Sequence, residues 1–429
     1  MKPSFVFILA DDLGYADLGC YGGRTHCSPS LDRLAAEGLR FTDGYANSPV
    51  CSPTRFALAT GRWQYRLRGA ADEPIASRLA RGNPALGLPP SHPTLASLLR
   101  DAGYATALIG KWHLGFAPHF GPLKSGYQEF FGPMSGGVDY FRHCDSAGRH
   151  DLYEGDEETH RSGYMTDLLS ARAVEFVKRH KGGPFLLSLH YTAPHWPWET
   201  RDDGAESKRI ANIAHLDGGS VQTYLTMIRQ MDEGIGQVLA ALDETGAAEN
   251  TCVVFTSDNG GERFSDNWPL VGGKMDLLEG GIRVPYIARW PARLPKGRTS
   301  GRLAITMDWT ASFLAAAGVA PHPDYPLDGI DLLEDKGREE ERSLYWRMKF
   351  RDQKAVRSGN WKYLSIEGNE FLFDLARDAR ERANMKHREP ARFARLRQEY
   401  GRWEESMPPI PEDANVSLVY GPAEMAKPA

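Results

Sequence analysis

No run of apolar residues in the 429-residue chain is long enough to cross a bilayer. The first apolar run, Phe5 to Ala10, is short, lacks a small-residue cleavage pattern and is followed at once by Asp11 and Asp12. It reads as a strand, not a leader, so the expected location is cytoplasmic with no membrane contact. Positive charge is not in excess. There are 51 Lys and Arg against 56 Asp and Glu, net −5, which leaves no basic footprint for nucleic acid. An anionic substrate must therefore be drawn in by local cations. Cysteine is scarce. Cys20, Cys27, Cys51, Cys144 and Cys252 form an odd set at irregular spacing, which supports neither a disulfide framework nor a zinc site. Internal repeats and low-complexity tracts are missing too, and nothing in the chain specifies an oligomeric state.

What is there is an ordinary globular mixture, 41% hydrophobic and 25% charged. It is enough for one large domain and a small one. Near-continuous apolar runs at 4–10, 104–109, 185–190 and 251–256 predict strands buried on both faces. Helical spacing predicts helices over 29–37, 94–102, 163–179 and 220–244, with Gly38 and Gly103 as stops. Strands alternating with helices give an α/β class with a large, mostly parallel sheet flanked by helices. A charged run at 335–342 reads as a linker. Beyond it, short β-like runs at 344–348, 354–358, 361–366 and 371–375 are separated by Gly-Asn at 359–360 and 368–369. They predict a small antiparallel sheet, then a helix near 390–404 and an extended tail from Met407. The expected division is a large domain, residues 1–335, and a small α+β C-terminal subdomain, residues 336–429.

Polar clusters sit just after the predicted strands. Asp11 and Asp12 follow the first; Asp258, Asn259, Gly260 and Gly261 follow the fourth. Singly, each reads as a turn or cap. Together, three carboxylates and an amide at two strand ends make a hard, all-oxygen cation site. Cys51-Ser52-Pro53-Thr54-Arg55 places a cysteine where Pro53 suits the first turn of a helix. That position permits either a low-pKa nucleophile or a buried structural thiol. Cations gather in Lys111 and His113 after the second strand, in His195 after the third, and in Lys274 within Gly272-Gly273-Lys274. Tyr140, His143, Tyr191, Trp196 and Trp198 lie near these clusters and could select a leaving group or simply pack.

At these residues the sequence resembles the type I, formylglycine-dependent sulfatases of the alkaline phosphatase superfamily, arylsulfatase-like. Cys51-Ser52-Pro53-Thr54-Arg55 fits the family's Cys-x-Pro-x-Arg motif, and Thr60-Gly61-Arg62 completes the longer signature. Gly103–Thr106 with Gly110–Gly115 looks like the second signature, and segments 8–15, 193–197, 257–261 and 279–285 resemble further blocks in the expected order.

The resemblance implies an alkaline phosphatase-like sulfatase fold and hydrolysis of small-molecule sulfate monoesters. Cys51 would be oxidised to formylglycine by a separate maturation enzyme. Asp11, Asp12, Asp258 and Asn259, with the modified Cys51, would hold one divalent cation, Ca2+ as the family's usual metal, with Mg2+ or Mn2+ possible. Arg55 would support the modified residue, and Lys111, His113, His195 and Lys274 would surround the sulfate. One hydroxyl of the aldehyde hydrate would attack sulfur; the second, losing its proton to His113, would later expel sulfate. Two other readings share these residues: a phosphonate monoester or phosphodiester hydrolase with the same formylglycine, and a non-catalytic metal-binding protein.

Overall fold

The computed structural model describes residues 2–334 and 342–417. Its strands, in chain order, are β1 (Ser4–Ala10), β2 (Leu39–Phe41), β3 (Gly44–Tyr45), β4 (Ala105–Gly110), β5 (Glu129–Gly132), β6 (Tyr153–Glu154), β7 (Glu157–Glu158), β8 (Phe185–His190), β9 (Thr251–Ser257), β10 (Tyr286–Arg289), β11 (Arg298–Ser300) and β12 (Ala304–Ile305). Ten of these form one sheet in the order β11-β2-β10-β9-β1-β8-β4-β5-β6-β7, and β3 pairs with β12 apart from it. The four strands predicted from sequence are β9, β1, β8 and β4, the contiguous centre of the sheet. They run parallel to one another and to β5.

β1 shows why the centre is so apolar. Val6, Ile8 and Ala10 face one core with the helices Met165–Arg179 and Val221–Glu244. Phe5, Phe7 and Leu9 face another with Trp290, Trp309 and Phe313. The period of two puts alternate residues on opposite faces, and both faces are covered. The outer strands β2, β6, β7 and β11 escape sequence reading because they are two or three residues long and mostly half-buried or exposed. Helix ends agree with the sequence to within two residues. Thr94 caps the helix Leu95–Asp101 by accepting a bond from Ser97 N.

After the gap in described residues come β13 (Ser343–Met348), β14 (Gln353–Ser358), β15 (Trp361–Ile366) and β16 (Asn369–Asp374), an antiparallel sheet crossed by the helix Pro390–Glu405. The expected linker at 335–342 falls outside the described residues except for Arg342, which pairs with buried Asp308 at 2.6 Å. One turn is shifted by a residue. Asn369 already pairs with Ile366 in the ladder, and Glu367 and Gly368, both at positive φ, make the turn instead of Gly368–Asn369. The small sheet does not stand apart. Trp346, Met348 and Leu364 share one core with Tyr45, Val50, Cys51 and Ala57.

Candidate active site

Because the central strands are parallel, their carboxyl ends open on one edge, where an α/β sheet binds its ligands. β1 delivers Asp11 and Asp12 there, β4 Lys111 and His113, β8 the segment to His195, and β9 Asp258 and Asn259. Cys51 begins the helix Cys51–Thr60, as its proline suggested. The helix carries Arg55 one turn on, inward, at 1% exposure.

Ligand atoms of Asp11, Asp12 and Asp258 lie within 4.8 Å of one another, and so do those of Asp11, Cys51 and His195. Asp11 is thus common to a carboxylate triad and to the cysteine. Arg55 donates to Asp258 Oδ2 from Nη2 at 2.8 Å and from Nε at 3.1 Å, and its Nη1 donates to Lys111 O at 3.0 Å. Lys111 pairs with Asp11, and Lys274 with Asp12 at 2.7 Å. His195 Nε2 lies 3.6 Å from Asp12 Oδ2. Asp12 holds a left-handed backbone, φ 65°, the kind of local strain that surrounding structure must enforce. All ten predicted site residues therefore meet at one edge of the sheet.

The electrostatics follow from burial. Desolvation and the neighbouring Asp258 charge push the Asp11 carboxyl well above its ordinary range. Burial raises the Cys51 thiol to about 11, against the pull of Lys111 and Lys274. A simple thiolate nucleophile is disfavoured, whatever the helix N-terminus offers. Burial, and then Lys111, hold His113 well below the imidazole value; burial, and then Lys274, do the same to His195. Both rings are neutral. For Lys274, burial opposes the charge but Asp12 outweighs it, so the ammonium persists well above its usual range.

The donor set fits a hard cation. Asp11 Oδ1 and Asn259 Oδ1 are buried acceptors with no hydrogen-bond partner, while Asn259 Nδ2 donates to Asp12 Oδ1 at 2.7 Å. Unpaired oxygens crowded against like charges are costly unless a cation satisfies them.

Some contributors had no clear sequence signal. His113 Nε2 is 2.9 Å from Ile75 O, so Nε2–H donates there and Nδ1 is left as the basic nitrogen. Nothing marks a backbone carbonyl in sequence. Gly136 lies against the same ring, and a Cβ on it would stand 2.3 Å from His113 Cε1. His190 Nδ1 lies 3.5 Å from Arg55, and burial lowers this ring to about 3. Glu262 Oε2 accepts from Trp196 Nε1 at 3.1 Å and stands 3.7 Å from Lys274. Its place one residue past Gly261 was the available hint.

Other expectations separate from the site. Tyr140, His143, Tyr191 and Trp198 are all buried in the core or in loop packing, with Tyr140 OH donating to His195 O at 2.9 Å. Only Trp196 stands beside Lys274, 5.9 Å from ring centre to nitrogen. Arg62 of the longer signature turns outward to Pro326 O. Its neighbour Gly61, φ 67°, ends the helix.

Comparison with known proteins agrees with this geometry. N-acetylgalactosamine-6-sulfatase from dog is 36% identical over 353 residues, spanning 77% of this chain but only 65% of that protein. The crystal structure of Ps i-CgsB in complex with k-i-k-neocarrahexaose superposes with a TM-score of 0.83 at 31% identity, covering 94% of this chain and 93% of that one. PsFucS1 sulfatase from Pseudoalteromonas sp. gives 0.78 at 26% identity, with 94% and 90% covered. With the sulfatase family model matching residues 3–319, the chain belongs to the sulfatase family, of the alkaline phosphatase superfamily.

Proposed function

We propose that the chain hydrolyses sulfate monoesters using a formylglycine derived from Cys51 and one divalent cation held by Asp11, Asp12, Asp258 and Asn259, calcium being the best match to an all-oxygen set. The observation that carries this reading is Asp11, which belongs at once to the buried carboxylate triad and to the group containing Cys51 and His195. The raised thiol argues against unmodified Cys51 as the nucleophile. When present, the cation and the aldehyde hydrate supply Lewis acidity and an oxygen nucleophile with two hydroxyls on one carbon.

The residues of the chain do the rest. Lys111 and Lys274, enclosed and charged, bind the sulfate oxygens and stabilise negative charge as it spreads in the transition state. Arg55 fixes Asp258 and carries charge beneath the site. His195 donates Nδ1–H to Trp196 O at 2.7 Å, which leaves Nε2 facing the site. An arriving anion favours protonation of that nitrogen, and the proton then passes to the departing alkoxide oxygen. His113 keeps Nδ1 free to accept a proton in the second half of the reaction.

Four of the five aromatic or His candidates for leaving-group selection pack internally, so they lend no support to an aryl leaving group. A sulfated sugar is the better-supported substrate. One relative is named for a sulfated amino sugar and another was solved with an oligosaccharide. The test is mass spectrometry of the peptide spanning Cys51, from protein made with a maturation enzyme, alongside rates on sulfated sugars, aryl sulfates and aryl phosphonates. A mass about 18 Da below cysteine with sulfate turnover supports the reading. Full activity with unmodified Cys51, or preference for the phosphonate, overturns it.

A further inference from the structure

Away from the active site, β6 and β7 form a short hairpin at the far end of the large sheet. Glu158 ends β7, and Thr159 N extends the ladder by donating to Leu152 O at 2.9 Å. Residues 158 and 160 therefore project to the same side of the extended chain. Across from them His150 is held by a backbone bridge to Cys144. The three side chains converge. His150 Nδ1 lies 2.9 Å from Glu158 Oε1, His160 Nε2 lies 3.9 Å from the same oxygen, and the two imidazole rings are 4.1 Å apart at their centres. One ligand atom from each falls within 4.8 Å of the others.

The group offers two imidazole nitrogens and one carboxylate to a divalent ion. This donor set differs in kind from the carboxylates of the active site. Imidazole nitrogen suits zinc, copper or nickel, whereas calcium and magnesium prefer oxygen alone. We propose that His150, Glu158 and His160 form a second metal site that takes a transition ion such as zinc, with water completing its shell.

The site's location gives it a structural consequence. Asp151, next to His150, accepts from Ser135 N at 2.8 Å and pairs with Arg81. Ser135 precedes Gly136, which packs on His113. An ion on the hairpin would brace the segment that anchors this loop. The proposal does not depend on the sulfate-ester reading, since none of its ligands belongs to that site.

The test uses the full chain loaded with excess calcium and titrated with Co2+ as a spectroscopic probe, then with Zn2+ as competitor. The expected result is one saturable equivalent with visible ligand-field absorption, displaced by Zn2+. His160→Ala and Glu158→Gln, both at exposed positions, should each weaken binding by about tenfold or more, while sulfate-ester turnover measured without added transition ion stays unchanged. Two results overturn the proposal: no saturable binding, or binding that survives both substitutions but is lost in Asp258→Ala, which would place the ion among the active-site carboxylates.

Discussion

Arg55 and Asp258 form the central buried pair of the active site: two guanidinium nitrogens converge on one carboxylate oxygen, Oδ2, at 2.8 and 3.1 Å. The other oxygen of Asp258 accepts from Asp12 N at 3.3 Å. Arg55 thus sets the direction in which Asp258 can serve as a ligand. Arg55→Ala strands a carboxylate in the interior and should cost about 3–5 kcal/mol of stability. Arg55→Lys keeps the charge but not the fork. It should weaken calcium binding by about 10–100-fold, as loss of a ligand's supporting partner does. Calcium calorimetry on the folded Lys variant checks this, and wild-type affinity would refute it.

The Gly136 backbone is where His113 gets its room. A methyl group there would stand 2.3 Å from the ring, far inside contact distance, so Gly136→Ala must push the imidazole off its bond to Ile75 O. A displacement of this order can lower turnover by about 100-fold. KM should change little, since Lys111 and Lys274 still hold the anion. Comparing kcat and KM separates this from general unfolding, and rescue is not expected from Gly136→Ser, which carries the same Cβ.

Glu199 gives the protein a pH-dependent weakness outside the active site. It is buried, its Oε2 accepts from Tyr140 N at 2.9 Å, and its Oε1 has no partner. Burial, reinforced by the nearby Asp139 charge, raises the carboxyl to about 8 from the ordinary 4.5. The folded state therefore holds this proton more tightly than the unfolded chain. The associated stability is complete below the unfolded value and is lost as pH rises through about 8. Glu199→Gln should abolish that slope, so the difference between variant and wild type should grow by a few kcal/mol in the variant's favour between pH 5 and pH 8. Urea unfolding at both pH values measures it, and a constant difference would disprove it.

The chain's legibility follows from how each feature is built. β1, β4, β8 and β9 could be read because two covered faces force unbroken apolar runs. The polar residues just past them could be read because parallel strands deliver those positions to one place. β2, β10 and β11 could not, since strands of three or four residues are too short to impose a pattern. Gly136, Ile75 O and Glu262 matter through distant contacts that no local spacing encodes. The block Glu279–Pro285 was recognisable as a family segment, but its purpose emerges only from the packing. Gly260 and Gly280 approach so closely that a Cβ on the first would stand 1.8 Å from the carbonyl of the second, and Glu279 reaches the C-terminal sheet.

That last contact is a buried charge triad. Lys362 Nζ on β15 lies 3.0 Å from Glu279 Oε1 and 2.8 Å from Glu381 Oε1, with both acids shielded from water. Burial works against both carboxylates, yet Lys362 with Arg357 and Arg283 brings Glu279 down to about 2, while burial leaves Glu381 raised to about 7. Glu279 contributes stability above its ordinary 4.5 that is lost as pH falls towards 2; Glu381 contributes stability that is lost as pH rises through 7. Lys362→Met removes the cation both acids share, leaving Glu381 without its ion partner and Glu279 with only Arg357 and Arg283, a loss of about 3–5 kcal/mol at pH 7. The deficit should shrink at pH 5, where the acids of the variant take up protons and no longer repel. Because this sheet shares a core with Cys51 and Val50, the variant should also lose sulfate-ester turnover at temperatures where the wild type is still folded. A deficit that is the same at pH 5 and pH 7 would show that Lys362 acts by packing alone.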